Sequence, residues 1–170
     1  YTTSYLNFVL DQYNIRVLNA ITKSATSDVP VSSPCPNTGY NLTYYNPNTS
    51  INVTINGNYD KTKCHDIIAN DVLLLNNVVC LAPPCAINGR YQPTPPKNTI
   101  FTAFNGFYFT LQYYTEPGIL TVSDIATIQN KICSLSWDEL DEQYPKVDHK
   151  YLSNACSYTS YFSTLLHDAY

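Results

Sequence analysis

Asp138, Glu139, Asp141 and Glu142 form the one acidic cluster in the chain, and paired carboxylates are what general acid–base catalysis requires. Their context argues otherwise. Ser136-Trp-Asp-Glu139 has the pattern of a capping box, so the four acids fall in and just before the first turns of a helix, where the helix dipole and solvation account for them. His65 beside Asp66 reads in the same way, because adjacent residues on a helix point in different directions and do not make a dyad. Serine, histidine and aspartate are all present without a nucleophile elbow. Five glycines in the whole chain leave no glycine-rich phosphate loop. His65, His149 and His167 are far apart, and only His65 adjoins a cysteine, so no metal-ligand spacing appears. Catalytic and metal-binding residues are therefore expected to be none in this chain by itself.

The six cysteines admit metal, catalysis or disulfides. Cys80 and Cys85 enclose Pro83 and Pro84, a spacing suited to a small disulfide ring. Asn41-Leu-Thr43, Asn48-Thr-Ser50 and Asn52-Val-Thr54 are three N-glycosylation motifs in one turn-rich stretch. They point to an oxidising, extracellular or secretory-lumen setting, and there three disulfides and no free thiol are expected.

The elements that would position these groups read as mostly helix. Leu6, Val9, Leu10, Tyr13, Val17 and Ile21 share a helical face over 4–22. Residues 24–50, rich in proline, asparagine and serine, read as a long irregular excursion. Ile51, Val53 and Ile55 alternate with Asn52, Thr54 and Asn56 as a strand with one wet face, closed by an Asn56-Gly57 turn. Helical spacing returns over 60–75, a brief strand fits 86–91, and prolines 93, 95 and 96 end it. Phe104, Phe107, Tyr108, Leu111 and Tyr114 predict a buried helix, although their aromatic content suits a strand equally. The block reads as packed core or, functionally, as an aromatic face for a planar ligand. Thr121 three before Asp124 caps a helix that Cys133 closes, a second begins at Trp137, and 151–170 is helical with Tyr158, Phe162, Leu165 and Leu166 inward.

At 170 residues the chain has the length of one domain. Charged residues are only 13% and the net charge is −4, which excludes a nucleic-acid footprint. No run reaches the length of a membrane span, and no signal peptide is read. A first residue of Tyr rather than Met suggests a processed chain or a piece of a longer one.

Cys80-x4-Cys85-Ala-Ile-Asn-Gly, the proline corner and Phe-Thr-Ala-Phe-Asn-Gly-Phe-Tyr-Phe-Thr resemble the ecto-nucleoside triphosphate diphosphohydrolase (apyrase) family. The opening Tyr-Thr-Thr-Ser-Tyr-Leu, the pair Cys64-His65, Cys133 followed by Trp137, Lys150-Tyr-Leu-Ser-Asn-Ala-Cys156 and Leu165-Leu166-x-x-x-Tyr170 are similar to it in the same order. The resemblance covers 1–170 and implies an actin-like, RNase H-like α/β lobe, most of the family's C-terminal lobe, helix-rich with a small sheet. It also implies the disulfides Cys35–Cys64, Cys80–Cys85 and Cys133–Cys156. A fourth family bridge lacks both partners, at Asn7 and in 46–58.

The family hydrolyses terminal phosphates of nucleoside tri- and diphosphates with a divalent cation and a glutamate-activated water. The loops that do this lie outside this chain. The resemblance therefore implies no cofactor here, with calcium or magnesium only in a complete two-lobed enzyme. It implies a base clamp: Tyr108 matches the aromatic position, and because no arginine lies between Cys133 and Cys156, Lys146, His149 or Lys150 must take the cationic one. An N-terminal lobe or neighbouring copies would cover an apolar face. The alternative is a non-catalytic extracellular assembly glycoprotein, such as a fibre subunit, built from this lobe.

Overall fold

Tyr13 and Val17 turn inward from the helix Leu10–Ile21 (α1) because three- and four-residue apolar spacing makes one buried stripe. The computed structural model describes residues 8–27, 29–100, 102, 105–116 and 118–169, so the expected start of this helix at 4, with Leu6, lies outside the described residues.

The stretch 24–50 is not irregular throughout. It contributes strands Val31–Ser33 (β1) and Asn41–Asn46 (β2), which flank Ile51–Gly57 (β3) in the order β1-β3-β2. β1 runs parallel to β3 and β2 antiparallel. Leu42 and Tyr44 in β2 face inward of Thr43 and Tyr45, a period-two pattern that the surrounding Pro, Asn and Ser obscured. Val53 and Ile55 are fully buried while Asn52, Thr54 and Asn56 are exposed, the wet face expected of β3. Asn56 and Gly57 do not form a turn. They end the ladder, opposite Asn41 and Ser33, and the reversal lies at 47–50, where Asn48 N donates to Asn46 Oδ1 at 2.8 Å and Ser50 N to Asn46 O at 2.8 Å. Glycine serves at 57 because a Cβ there would sit 2.2 Å from the Asn37 carbonyl oxygen.

Asp60 caps Lys61–Ile67 (α2), which widens into a π turn at Ile68–Val72. The expected strand at 86–91 is instead a 3-10 turn, Ile87–Gly89, bracketed by one bridge between Cys85 and Tyr91. Asn88 carries φ 54° there, which interrupts extended pairing. Four further helices follow the short helix Gly106–Leu111 (α3): Val122–Cys133 (α4), Trp137–Gln143 (α5), His149–Leu152 (α6) and Ala155–Asp168 (α7). The capping boxes at Thr121/Asp124 and Ser136/Glu139 both form. The helix expected from 151 is two helices, separated at Ser153 and Asn154.

α7 is the element the others pack around. One core joins it to α1, the π turn and α3 through Tyr13, Ile68, Val72, Leu111 and Phe162. A second, built from Ile132, Leu140 and Leu152, surrounds the Cys133–Cys156 bond. Tyr13 Oη donates to Ser157 O at 2.9 Å and lies 2.7 Å from Ser157 Oγ, so its buried hydroxyl is satisfied. The result is a helix-rich α/β chain with a three-stranded sheet and three disulfides, Cys35–Cys64, Cys80–Cys85 and Cys133–Cys156, with no free cysteine.

Candidate functional site

α3 sets the position of Tyr108. Asn105 adopts φ 57° before the helix, and Gly106 lets it approach α1, since a Cβ there would lie 2.7 Å from Leu10 Cδ1. Phe107 then stacks on Phe162 with centroids 4.1 Å apart, and Leu111 is buried. With those two residues facing inward, Tyr108 and Phe109 face out, 50% and 51% exposed. The aromatic block is thus half core and half surface, not a buried helix, and its expected first member Phe104 lies outside the described residues. Tyr108 meets the Phe109 ring edge-on at 5.5 Å.

Of the three candidate cations, the structure brings Lys150 into the aromatic system. Its Nζ lies 5.9 Å from the centroid of Tyr151, and Tyr151 lies 6.2 Å from Tyr113 in the turn after α3. Distances of this order allow a cation–π attraction. His149 is otherwise engaged: its Nε2 is 2.7 Å from Asp141 Oδ1, and its ring meets Trp137 at 5.5 Å. Lys146 stands exposed between α5 and α6. The block and the segment between the last two cysteines therefore meet through two ring pairs, Tyr113 with Tyr151 and Tyr114 with Tyr144, of which sequence reasoning singled out only Tyr114. The adjacency of Tyr151 to Lys150 was the available signal.

Behind these rings, Tyr114 meets Tyr144 at 5.1 Å, and both hydroxyls are buried without a hydrogen-bond partner among the described residues. Burial, reinforced by Tyr144 and Tyr113, pushes the Tyr114 hydroxyl up, so it stays protonated. Lys131 Nζ lies 5.8 Å from the Tyr144 centroid.

The acidic cluster is committed elsewhere. Glu139 Oε2 accepts from Ser136 N and Oγ, each at 2.8 Å, and these bonds, the backbone one first, hold its carboxyl below the usual range. His65 has a partner that adjacency in sequence did not disclose. Its Nε2 lies 2.7 Å from Asp168 Oδ2, whose Oδ1 lies 2.6 Å from His167 Nδ1, while the neighbouring Asp66 is reached only at 3.5 Å. Partial burial opposes a charged His65, but its bonds to Asp168 and Asp66 outweigh that and raise its pKa. Burial likewise opposes ionised Asp168, and its two histidine partners outweigh it and lower its pKa. This cluster borders a cavity of about 430 Å³ that also touches Asn76, Val78 and the Cys80–Cys85 bond. Among the described residues no group of three or more His, Cys, Asp or Glu could hold a metal ion.

Asn41, Asn48 and Asn52 are all exposed, on β2, the connecting turn and β3. Among the described residues, no helix is long and apolar enough to cross a membrane.

A family model described as GDA1/CD39 (nucleoside phosphatase) matches residues 1–170. The chain is 31% identical over 189 residues to ectonucleoside triphosphate diphosphohydrolase 1 of Mus musculus, covering 98% of this chain and 35% of that protein. It is 29% identical to ectonucleoside triphosphate diphosphohydrolase 8 of Rattus norvegicus, covering 100% and 36%. It is 24% identical to "Probable apyrase 5" of Arabidopsis thaliana, covering 99% and 37%. The chain thus spans about a third of the length of these relatives.

Proposed function

The chain belongs to the GDA1/CD39 (nucleoside phosphatase) family, and we propose that it is the C-terminal, actin-like lobe of a nucleoside tri- and diphosphate hydrolase, where it holds the nucleobase. The match over 1–170, at about a third of the relatives' length, carries this reading. The base lies against the exposed Tyr108 ring, and Lys150, seated over Tyr151, supplies the cation on the side of α6. Stacking removes two apolar faces from water and is tolerant of base identity. His149 positions α6 against α5 through Asp141 and leaves base contact to Lys150. Water activation, phosphate binding and a calcium or magnesium ion belong to the remainder of the enzyme, and the isolated 170 residues do not turn over nucleotide. That remainder, or a neighbouring copy, covers exposed apolar side chains such as Leu81, Ile100 and Ile119. The three disulfides and three exposed sequons support an extracellular or secretory-lumen location.

The test is nucleotide affinity and metal-dependent phosphate release from ATP or ADP by the intact protein. Tyr108→Ala weakens nucleotide binding by about 1–3 kcal/mol, and Lys150→Ala weakens it in the same direction. Unchanged affinity in folded variants would remove the clamp. Full turnover by the 170-residue chain alone would overturn the division of labour.

A further inference from the structure

Of the three sequons, one faces an aromatic ring. Tyr45 on β2 pairs in register with Asn52 on β3, so their Cβ atoms lie about 4.5–5.5 Å apart on one face of the sheet. Tyr45 is 56% exposed, and neither its side chain nor that of Asn52 has a partner among the described residues. Val53 turns inward between Asn52 and Thr54, which leaves both the acceptor amide and the hydroxyl of its sequon on the open face. The other sites differ. Asn41 pairs with Asn56 and donates through Nδ2 to Gly39 O at 3.1 Å, and Asn48 sits in the hairpin turn.

We propose that Asn52 carries an N-linked glycan whose first sugar is seated on the ring of Tyr45. This rests on the secretory location proposed above. The modification joins Asn52 Nδ2 to the anomeric carbon of an oligosaccharide donated from a lipid pyrophosphate. The anomeric carbon–oxygen bond breaks, the lipid pyrophosphate leaves, and one amide proton is released. The sugar's apolar C–H face then covers a tyrosine face that water otherwise wets. Because β2 is an outer strand of the sheet, a glycan fixed across β2 and β3 also blocks pairing with a further strand.

The intact protein is secreted from eukaryotic cells, and glycopeptide mass spectrometry reads occupancy at each sequon. Thr54→Ala removes the Asn52 glycan without altering Asn52. Tyr45→Ala lowers Tm by about 2–4 °C more in the glycosylated background than in the Thr54→Ala background. Tyr45→Phe, which keeps the ring, retains the coupling. Equal losses in both backgrounds, or Tyr45→Phe losing as much as Tyr45→Ala, would overturn the seat. Asn52 bare while Asn41 or Asn48 is occupied overturns this inference alone. Three bare sequons on the secreted protein overturn it as well, whereas retention of the protein inside the cells overturns the secretory reading on which it rests.

Discussion

Between Cys133 and Cys156 the helix starts are capped and tied to their surroundings, although the buried Tyr144 hydroxyl has no partner among the described residues. Ser136 and Glu139 cap α5, Asp148 accepts from Lys150 N at 2.8 Å, Asp141 holds His149, and Asn37 donates from outside to Ile132 O and Leu135 O at 2.8 and 2.9 Å. Leu140 and Leu152 are fully buried beneath. Between Cys80 and Tyr114 burial is sparser along the chain: a six-residue disulfide ring, one β-bridge, the buried Ala86, Ile87, Thr110 and Leu111, the Phe107 ring on Phe162, and the ring contacts of Tyr113 and Tyr114. Leu81 in that ring is 90% exposed. Sparse burial goes with low local stability. Lys150 and Tyr151 are therefore the preset side of the proposed clamp, and Tyr108 is the side that adjusts to a ligand.

Deleting the anchor should have the largest effect. Phe162→Ala removes the ring on which Phe107 stacks and costs about 3–5 kcal/mol, whereas Leu81→Ala stays within about 0.5 kcal/mol. Urea unfolding of both variants checks the contrast, and comparable losses would break it. Next come the disulfides. Replacing Cys133 and Cys156 by serine, which opens a separation of 23 residues, costs about 3 kcal/mol, and the pair Cys80 and Cys85, separated by 5, about 2 kcal/mol on loop entropy. Thermal unfolding gives the order, and a reversed order would place the tighter constraint in the 80–114 segment. Ser136→Ala then costs about 1 kcal/mol through loss of the cap. Hydrogen exchange should locate that loss at α5 and leave α3 unchanged.

These expectations follow how much of each region could be read. Both capping boxes are local patterns of four residues, and α4 and α5 began where Thr121 and Ser136 indicated. The Cys80–Cys85 ring was legible from its spacing, whereas the pairings Cys35–Cys64 and Cys133–Cys156 came from the family resemblance. β1 and β2 were missed because their partner β3 lies downstream, and strand pairing is a long-range event that proline- and asparagine-rich composition masks. At the site, Tyr108 and Lys150 were legible as types, but Tyr113 and Tyr151 became its connecting rings only through the packing of the turn after α3 against α6. Asp168 as partner of His65 was hidden by a separation of 103 residues.

That last pair gives the smallest effect, and a pH dependence. His65, raised from 6.5, contributes stability that is present below its unfolded pKa and lost as pH rises through the raised folded value. Asp168, lowered from 3.8, contributes stability that is present above its unfolded pKa and lost as pH falls through the lowered value. The pair is therefore most effective between the two ranges, and Asp168→Asn flattens the stability profile at both ends. Solvent screening keeps such partly exposed pairs to about 0–1 kcal/mol. A Tm profile against pH that is identical in the variant would remove the pair from the account.

The bond from Tyr13 to Ser157 spans 144 residues, and that separation becomes a delay during synthesis. At 5–20 residues per second, roughly 7–30 s pass after Tyr13 is made before Ser157 exists. The hairpin bearing Asn41, Asn48 and Asn52 is finished early in that interval, when α1 still lacks the helix it packs on. A glycan added to the nascent chain at Asn52, as proposed above, would thus go onto an unclosed molecule, before α7 locks α1 in place.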